Sequence, residues 1–242
     1  MSIEEITKSV RLCYDEEVQD TASFESAAAD DNTLMNNIIA GRIGDAIRWI
    51  CLYAPAELLG GTDEPDTTEN GETVKHETGI LVDVDTPTVT PISGTTGGTI
   101  TMPANFIKLA RVRAEGWHRA IKTPIEEDSE EYLELRDQNG AAATAERPQA
   151  VLIDKAVREL EIWPMGNGAE YTYVADTEGH EFEKVIPTTG GGSRTETHYA
   201  IPPRTKTAFV YYLAFLVLSA YEDSRAGRML EIAKMNLGLT KQ

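Results

Sequence analysis

The chain has 242 residues, 41% of them hydrophobic, and a formal net charge of −18. That is enough apolar content to bury a core, in one domain or one domain with a large insertion. The charge repels polyanions and argues against tight wrapping of nucleic acid, which needs clustered Lys and Arg on phosphates.

The N-terminus predicts a helix. Ser2 followed by Glu5 has the spacing of a capping box, and Ile3, Ile6, Val10 and Cys13 recur at helical spacing. Thr21 to Ala29 is small and polar and predicts a linker. A second helix begins near Asp31 or Asn32, both good N-caps. Its apolar stripe is Met35, Ile38, Ile39, Ile43, Ala46, Ile47, Ile50 and Tyr53. Gly41 and Gly44 lie one turn apart, where a neighbouring helix could approach closely. Pro55 and Gly60-Gly61 mark its end.

From there the character changes. Asp63 to Glu77 is acidic, broken by Pro65 and Gly71, and predicts an exposed loop. Ile80, Val82 and Val84 alternate with Leu81, Asp83 and Asp85 as in a strand. Ile107 to Arg113 and Trp117 to Ile121 predict a strand pair, and the acidic stretch Ile125 to Asp137 one short helix. Val151 to Asp154 and Leu160 to Trp163 predict a hairpin, and Tyr171 to Ala175 continues the sheet. Thr188 to Thr197 is a Thr/Gly/Ser loop. Pro202-Pro203 then opens Arg204 to Leu239, one long helix or two broken near Asp223-Ser224. Its apolar run from Ala208 to Tyr221, interrupted by Ser219, is shorter than the roughly 20 residues a spanning helix needs and predicts a core helix. The expected fold class is therefore α+β: a helical bundle from residues 1–61 and 202–242, and a β-rich insertion at 62–201.

The chemistry-bearing patterns are sparse. MSIEEITKSV has no apolar core region, so signal-directed secretion is not expected. Cys13 and Cys51 are far apart among apolar residues and predict two small buried hydrophobes. Gly60-Gly61, Gly97-Gly98 and Gly190 to Gly192 are not followed by the Lys and Ser/Thr of a phosphate loop. His76, His118, His180 and His198 are scattered, and a zinc site needs three or four converging ligands. No Gly-x-Ser-x-Gly occurs, and Ser193 is a loop serine. Acidic pairs such as Asp83/Asp85, Glu126/Glu127/Asp128 and Glu130/Glu131 suit a solvated face better than catalytic carboxylates, which need a cleft and separated pKa values. Asp83 and Asp85 share one strand face, without a calcium loop around them. Trp117, Trp163, Tyr171 and Tyr173 predict core or interface. The expectation is thus no catalytic, cofactor or metal residues.

Three stretches carry a resemblance. They are Met102-Pro-Ala-Asn-Phe-Ile-Lys-Leu-Ala-Arg-Val-Arg with Trp117-His-Arg-Ala-Ile; Val151-Leu-Ile-Asp, Leu160-Glu-Ile-Trp-Pro and Tyr171-Thr-Tyr-Val-Ala; and Ile201-Pro-Pro, Ala208-Phe-Val-Tyr-Tyr-Leu-Ala and Ala226-Gly-Arg-Met-Leu-Glu-Ile-Ala. Their order resembles head–tail adaptor proteins of tailed bacteriophages, over residues from about 30 to 238; Asp63 to Gly97 has no counterpart. The resemblance implies a non-enzymatic virion protein made in the host cytoplasm. It implies a homo-oligomeric ring, commonly dodecameric, between the portal protein and tail or further neck proteins, around a genome channel. It brings no catalytic residues, cofactor or membrane partner. The acidic charge suits a conduit that lets DNA pass without binding it specifically. The alternative is a carbohydrate- or protein-binding module using the β-rich part. A hydrolase with dispersed acids is weakened by the lack of convergent motifs.

Overall fold

The computed structural model describes residues 1–14, 29–60, 67–69, 72–74, 80–137, 143–154, 157–176, 181–187 and 193–239. The expected linker, apart from Ala29, and most of the expected Asp63–Glu77 loop lie outside these residues. So does the first part of the Thr188–Thr197 loop.

In chain order the elements are α1 (Ile3–Tyr14), α2 (Ala29–Tyr53), α3 (Ala56–Leu59), β1 (Thr67–Glu69), β2 (Glu72–Val74), β3 (Leu81–Val84), β4 (Thr90–Pro91), β5 (Gly98–Thr101), β6 (Phe106–Ala114), β7 (Ile125–Glu126), α4 (Glu130–Asp137), β8 (Gln149–Ile153), β9 (Glu159–Trp163), β10 (Ala169–Ala175), β11 (Glu181–Pro187), β12 (Ser193–Tyr199), a 3-10 turn (Pro203–Thr205), α5 (Lys206–Ala220) and α6 (Ala226–Asn236). They form two compact units, Met1–Gly79 with Thr177–Gln242, and Ile80–Asp176.

In the first unit α5 packs against α1, α2 and α6. The capping box of α1 is reciprocal: Ser2 N–H donates to Glu5 Oε2 at 2.9 Å, and Glu5 N–H to Ser2 Oγ at 3.2 Å. Ile6 and Val10 bury the inner face of α1, and Ile39, Ile43, Ala46, Ile47 and Ile50 that of α2. Strands also belong here. β1 pairs with β2 and β11 with β12, both antiparallel. The backbone of Met1 exchanges hydrogen bonds with Tyr199 of β12: the Met1 amine donates to Tyr199 O at 2.9 Å, and Tyr199 N–H to Met1 O at 2.8 Å.

The second unit is layered. A three-stranded antiparallel sheet, β3-β10-β6, shares one buried cluster with a five-stranded sheet, β4-β5-β9-β8-β7. Phe106, Leu109, Val112, Tyr171 and Tyr173 come from the first sheet, Ile100, Ala150, Leu160 and Ile162 from the second, with Trp117 among them. The alternate residues Val151, Ile153 and Trp163 face the other way and cluster with Tyr132 and Leu135 of α4. The five-stranded sheet is therefore buried on both faces, although its strands pair mostly antiparallel.

The expected helical bundle from the two chain ends around a single β-rich insertion is overturned. The fold is α+β, but helix and strand are interspersed: the unit holding the chain ends carries β1, β2, β11 and β12 beside its helices, while α4, the short helix expected within Ile125 to Asp137, lies in the sheet-bearing unit. Tertiary pairing decides this. Ser193 to Thr197, expected within a loop, is strand because it pairs with β11, and His198 of the same strand bridges Ser2. Three local expectations also change. Trp117 to Ile121 is not a strand, only a bridge between Ile121 and Val112. Tyr171 to Ala175 joins a different sheet from the β8–β9 hairpin. Among the described residues nothing lies within 4 Å of a Cβ built at Gly41 or Gly44, so no described helix approaches them closely.

Candidate interaction surfaces

Among the described residues no group of three or more His, Cys, Asp or Glu could hold a metal ion. His118 is exposed after β6, and His198 is half-buried on β12; His76 and His180 lie outside the described residues. Cys51 is buried in α2 and Cys13 half-buried in α1. Asp83, on β3, accepts a hydrogen bond from the Thr172 hydroxyl, which accepts one from Arg111 Nε at 2.9 Å. Arg111 Nη2 stands 3.8 Å from Asp83, so this carboxylate joins a cross-strand ladder over β3, β10 and β6. Arg113 donates to Trp117 O at 3.4 Å. Glu126, Glu127, Asp128, Glu130, Glu131 and Glu134 are all exposed along β7 and α4.

The aromatics of the sheet unit are interior. Trp117 is 2% exposed, Trp163 0%, Tyr171 4% and Tyr173 5%. The Trp117 indole donates to Pro164 O at 2.9 Å. Burial raises the Tyr171 hydroxyl pKa, with Tyr173 beside it adding to the effect.

The feature that sequence reasoning missed lies on α2 and α5. Trp49 stacks on Tyr212, centroids 4.0 Å apart and planes 8° from parallel. Tyr53, one turn on from Trp49, lies 5.7 Å from it, and Phe215 lies 5.5 Å from Tyr212. Helical spacing brings these rings together, as i, i+4 on α2 and i, i+3 on α5. Trp49 is nearly buried, Tyr212 and Phe215 half-buried. Tyr53, expected in the buried stripe, is instead 55% exposed, and Leu52 beside it 48%. Burial raises the Tyr212 hydroxyl pKa, helped by Tyr53 and Asp45. The ladder ends in an apolar ridge at the surface. The available signal was α5 itself, apolar nearly all round, which asks for cover on every side.

No protein-family model matches the chain, and no curated protein matches it. No described helix is long and apolar enough to cross a membrane.

Proposed function

We propose that the chain is a non-enzymatic structural subunit of a tailed-bacteriophage virion. It acts as a head–tail adaptor, assembling into a ring between the portal protein and tail or neck proteins and surrounding the genome channel. The observation that carries this is the exposed ridge of Leu52 and Tyr53, backed by the Trp49–Tyr212–Phe215 ladder. On a chain of net charge −18, an aromatic ridge on a rigid helix pair suits a protein contact, because aromatic residues are enriched and charges depleted at interface cores. Three further points support the reading. The stretches from Met102 to Arg113, Val151 to Ala175 and Ile201 to Ala233 resemble that family in order. The exposed acids of β7 and α4 suit a wall that repels phosphate. The burial of Trp117, Trp163, Tyr171 and Tyr173 takes those rings away from the alternative of a carbohydrate-stacking module.

Sedimentation of the purified chain, alone and with portal rings, tests the proposal. A defined oligomer, or co-sedimentation with the portal, is the expected result. A monomer at every concentration that leaves portal sedimentation unchanged overturns it.

A further inference from the structure

Three buried polar atoms of the sheet unit have no hydrogen-bond partner among the described residues: Glu161 Oε2, Trp163 Nε1 and Gln149 Oε1. They are neighbours by register. Gln149 of β8 pairs directly with Trp163 of β9, and Glu161 pairs with Val151, one same-face step along. Side chains on one face at directly opposed and i, i+2 positions are within reach of each other when they are long or aromatic. All three belong to the face that α4 covers, where Tyr132, Leu135 and Trp163 form one cluster.

The other oxygen of Glu161 is engaged. Its Oε1 stands 3.5 Å from Arg136 Nη2 on α4, and the Glu161 side chain is only 5% exposed. Tyr132, on the same helix, feels both partners: burial and Glu161 raise its hydroxyl pKa, and Arg136 lowers it. Glu161 thus has one oxygen facing Arg136 of the helix, and its other oxygen is left without a partner among the described residues, on the sheet face it shares by register with Trp163 and Gln149. The second fully buried tryptophan gives the contrast, since Trp117 Nε1 has its acceptor in Pro164 O.

We propose that Glu161 Oε2, Gln149 Oε1 and Trp163 Nε1 form a binding site for one internal water molecule, which locks the covered face of the five-stranded sheet. The donor and acceptor tally selects the ligand. The indole N–H is a donor only, the carboxylate an acceptor, and the amide oxygen an acceptor. A water accepts from Trp163 and donates to Glu161 and Gln149, using three hydrogen bonds, the usual number for a buried water. A cation would meet the indole N–H head-on, and an anion would meet the carboxylate. Buried polar atoms of this kind are nearly always satisfied in folded proteins.

Two measurements on the full chain test the site. In a water-resolved ROESY experiment the Trp163 indole proton, assigned by its disappearance in Trp163→Phe, shows a cross-peak to a long-lived water. The Trp117 indole proton, bonded to Pro164 O, shows none. A density map that resolves ordered solvent shows one water touching all three atoms. The proposal is overturned if the Trp163 N–H donates directly to Glu161 or Gln149 with no water between them. It is equally overturned if a metal ion fills the site, or if the Trp163 proton shows no water contact.

Discussion

Glu222 and Gly238 occupy the same position in two copies of one helix-ending motif. After α5, Glu222 N–H donates to Ser219 O at 3.1 Å and Asp223 N–H to Leu218 O at 3.0 Å. After α6, Gly238 N–H donates to Met235 O at 3.0 Å and Leu239 N–H to Lys234 O at 2.9 Å. Both are Schellman closures, whose middle residue needs a left-handed backbone. Gly238 has φ +71°, at no steric cost, whereas Glu222 adopts φ +55° with a side chain attached. Glu222→Gly should therefore stabilise the chain by about 0.5–1 kcal/mol, and Gly238→Ala should destabilise it by about 1 kcal/mol. Chemical denaturation midpoints of the two variants check both signs.

Gly97 and the helical glycines of α2 give opposite expectations for one substitution. A Cβ at Gly97 would lie 2.6 Å from the Trp163 indole, which is fully buried and cannot move aside. Gly97→Ala should destabilise the sheet unit by about 1–3 kcal/mol through overpacking. Gly41 and Gly44 have open space around that position, so Gly41→Ala and Gly44→Ala should stabilise α2 by about 0.5–1 kcal/mol each. Thermal unfolding of the three variants decides. If either α2 variant melts lower than the parent chain, another segment approaches that face in solution.

Local chemistry was legible in the sequence, and partnership was not. The Ser2/Glu5 capping box and the β8–β9 hairpin follow from signals a few residues long, and both are present; the C-terminal stretch, which its residues leave open between one helix and two, is two. Which sheet a strand joins is not written in its own residues. Tyr171 to Ala175 sits between β3 and β6 because of distant partners. Trp117 reads as strand by its neighbours, but Gly116, at φ +87°, turns the chain before it, and its indole is tied to Pro164. Glu161 alternates with Leu160 and Ile162 along β9, a place where a charged side chain ordinarily faces solvent. It is buried because α4 covers that face, which no periodicity in β9 could announce. The surface ridge was half legible: Tyr53 fitted the α2 stripe by spacing, yet it lies on the rim of that stripe and is exposed.

Asp223 gives the start of α6 a pH dependence. Its carboxylate accepts hydrogen bonds from the Arg225 guanidinium, at 3.1 Å from Nε and 2.9 Å from Nη2, and from the Arg225 backbone N–H at 2.8 Å. These bonds lower its pKa from 3.8 to about 2. A lowered folded-state pKa means the stabilisation is fully present above the ordinary value and is lost as the pH falls through the folded one. Hydrogen-exchange protection in the first turn of α6 should therefore decline between about pH 4 and pH 2. In Asp223→Asn that step should vanish and protection should be lower throughout. An unchanged acid profile in the variant would assign the step to another group.

The ridge on α2 should behave as a contact rather than as core. Leu52 and Tyr53 are about half exposed, so replacing them costs the chain less than replacing core side chains of the same size. In an assembly they would be covered, and an anchoring side chain of that kind typically costs about 2 kcal/mol or more when truncated, roughly thirtyfold in the contact's dissociation constant. In the proposed ring the ridge would meet a different patch on the next subunit, so every interface would lose the same amount. Leu52→Ser with Tyr53→Ser should therefore shift the sedimentation of the chain toward monomer while its circular dichroism and melting temperature stay close to the parent's. Met235→Ser, on α6, is the control: Met235 is 63% exposed but lies outside the Trp49–Tyr212–Phe215 ladder, and its loss should leave assembly intact. If the double variant assembles as the parent does, the ridge is not the subunit contact. If it unfolds, the ridge is part of the helical core despite its exposure.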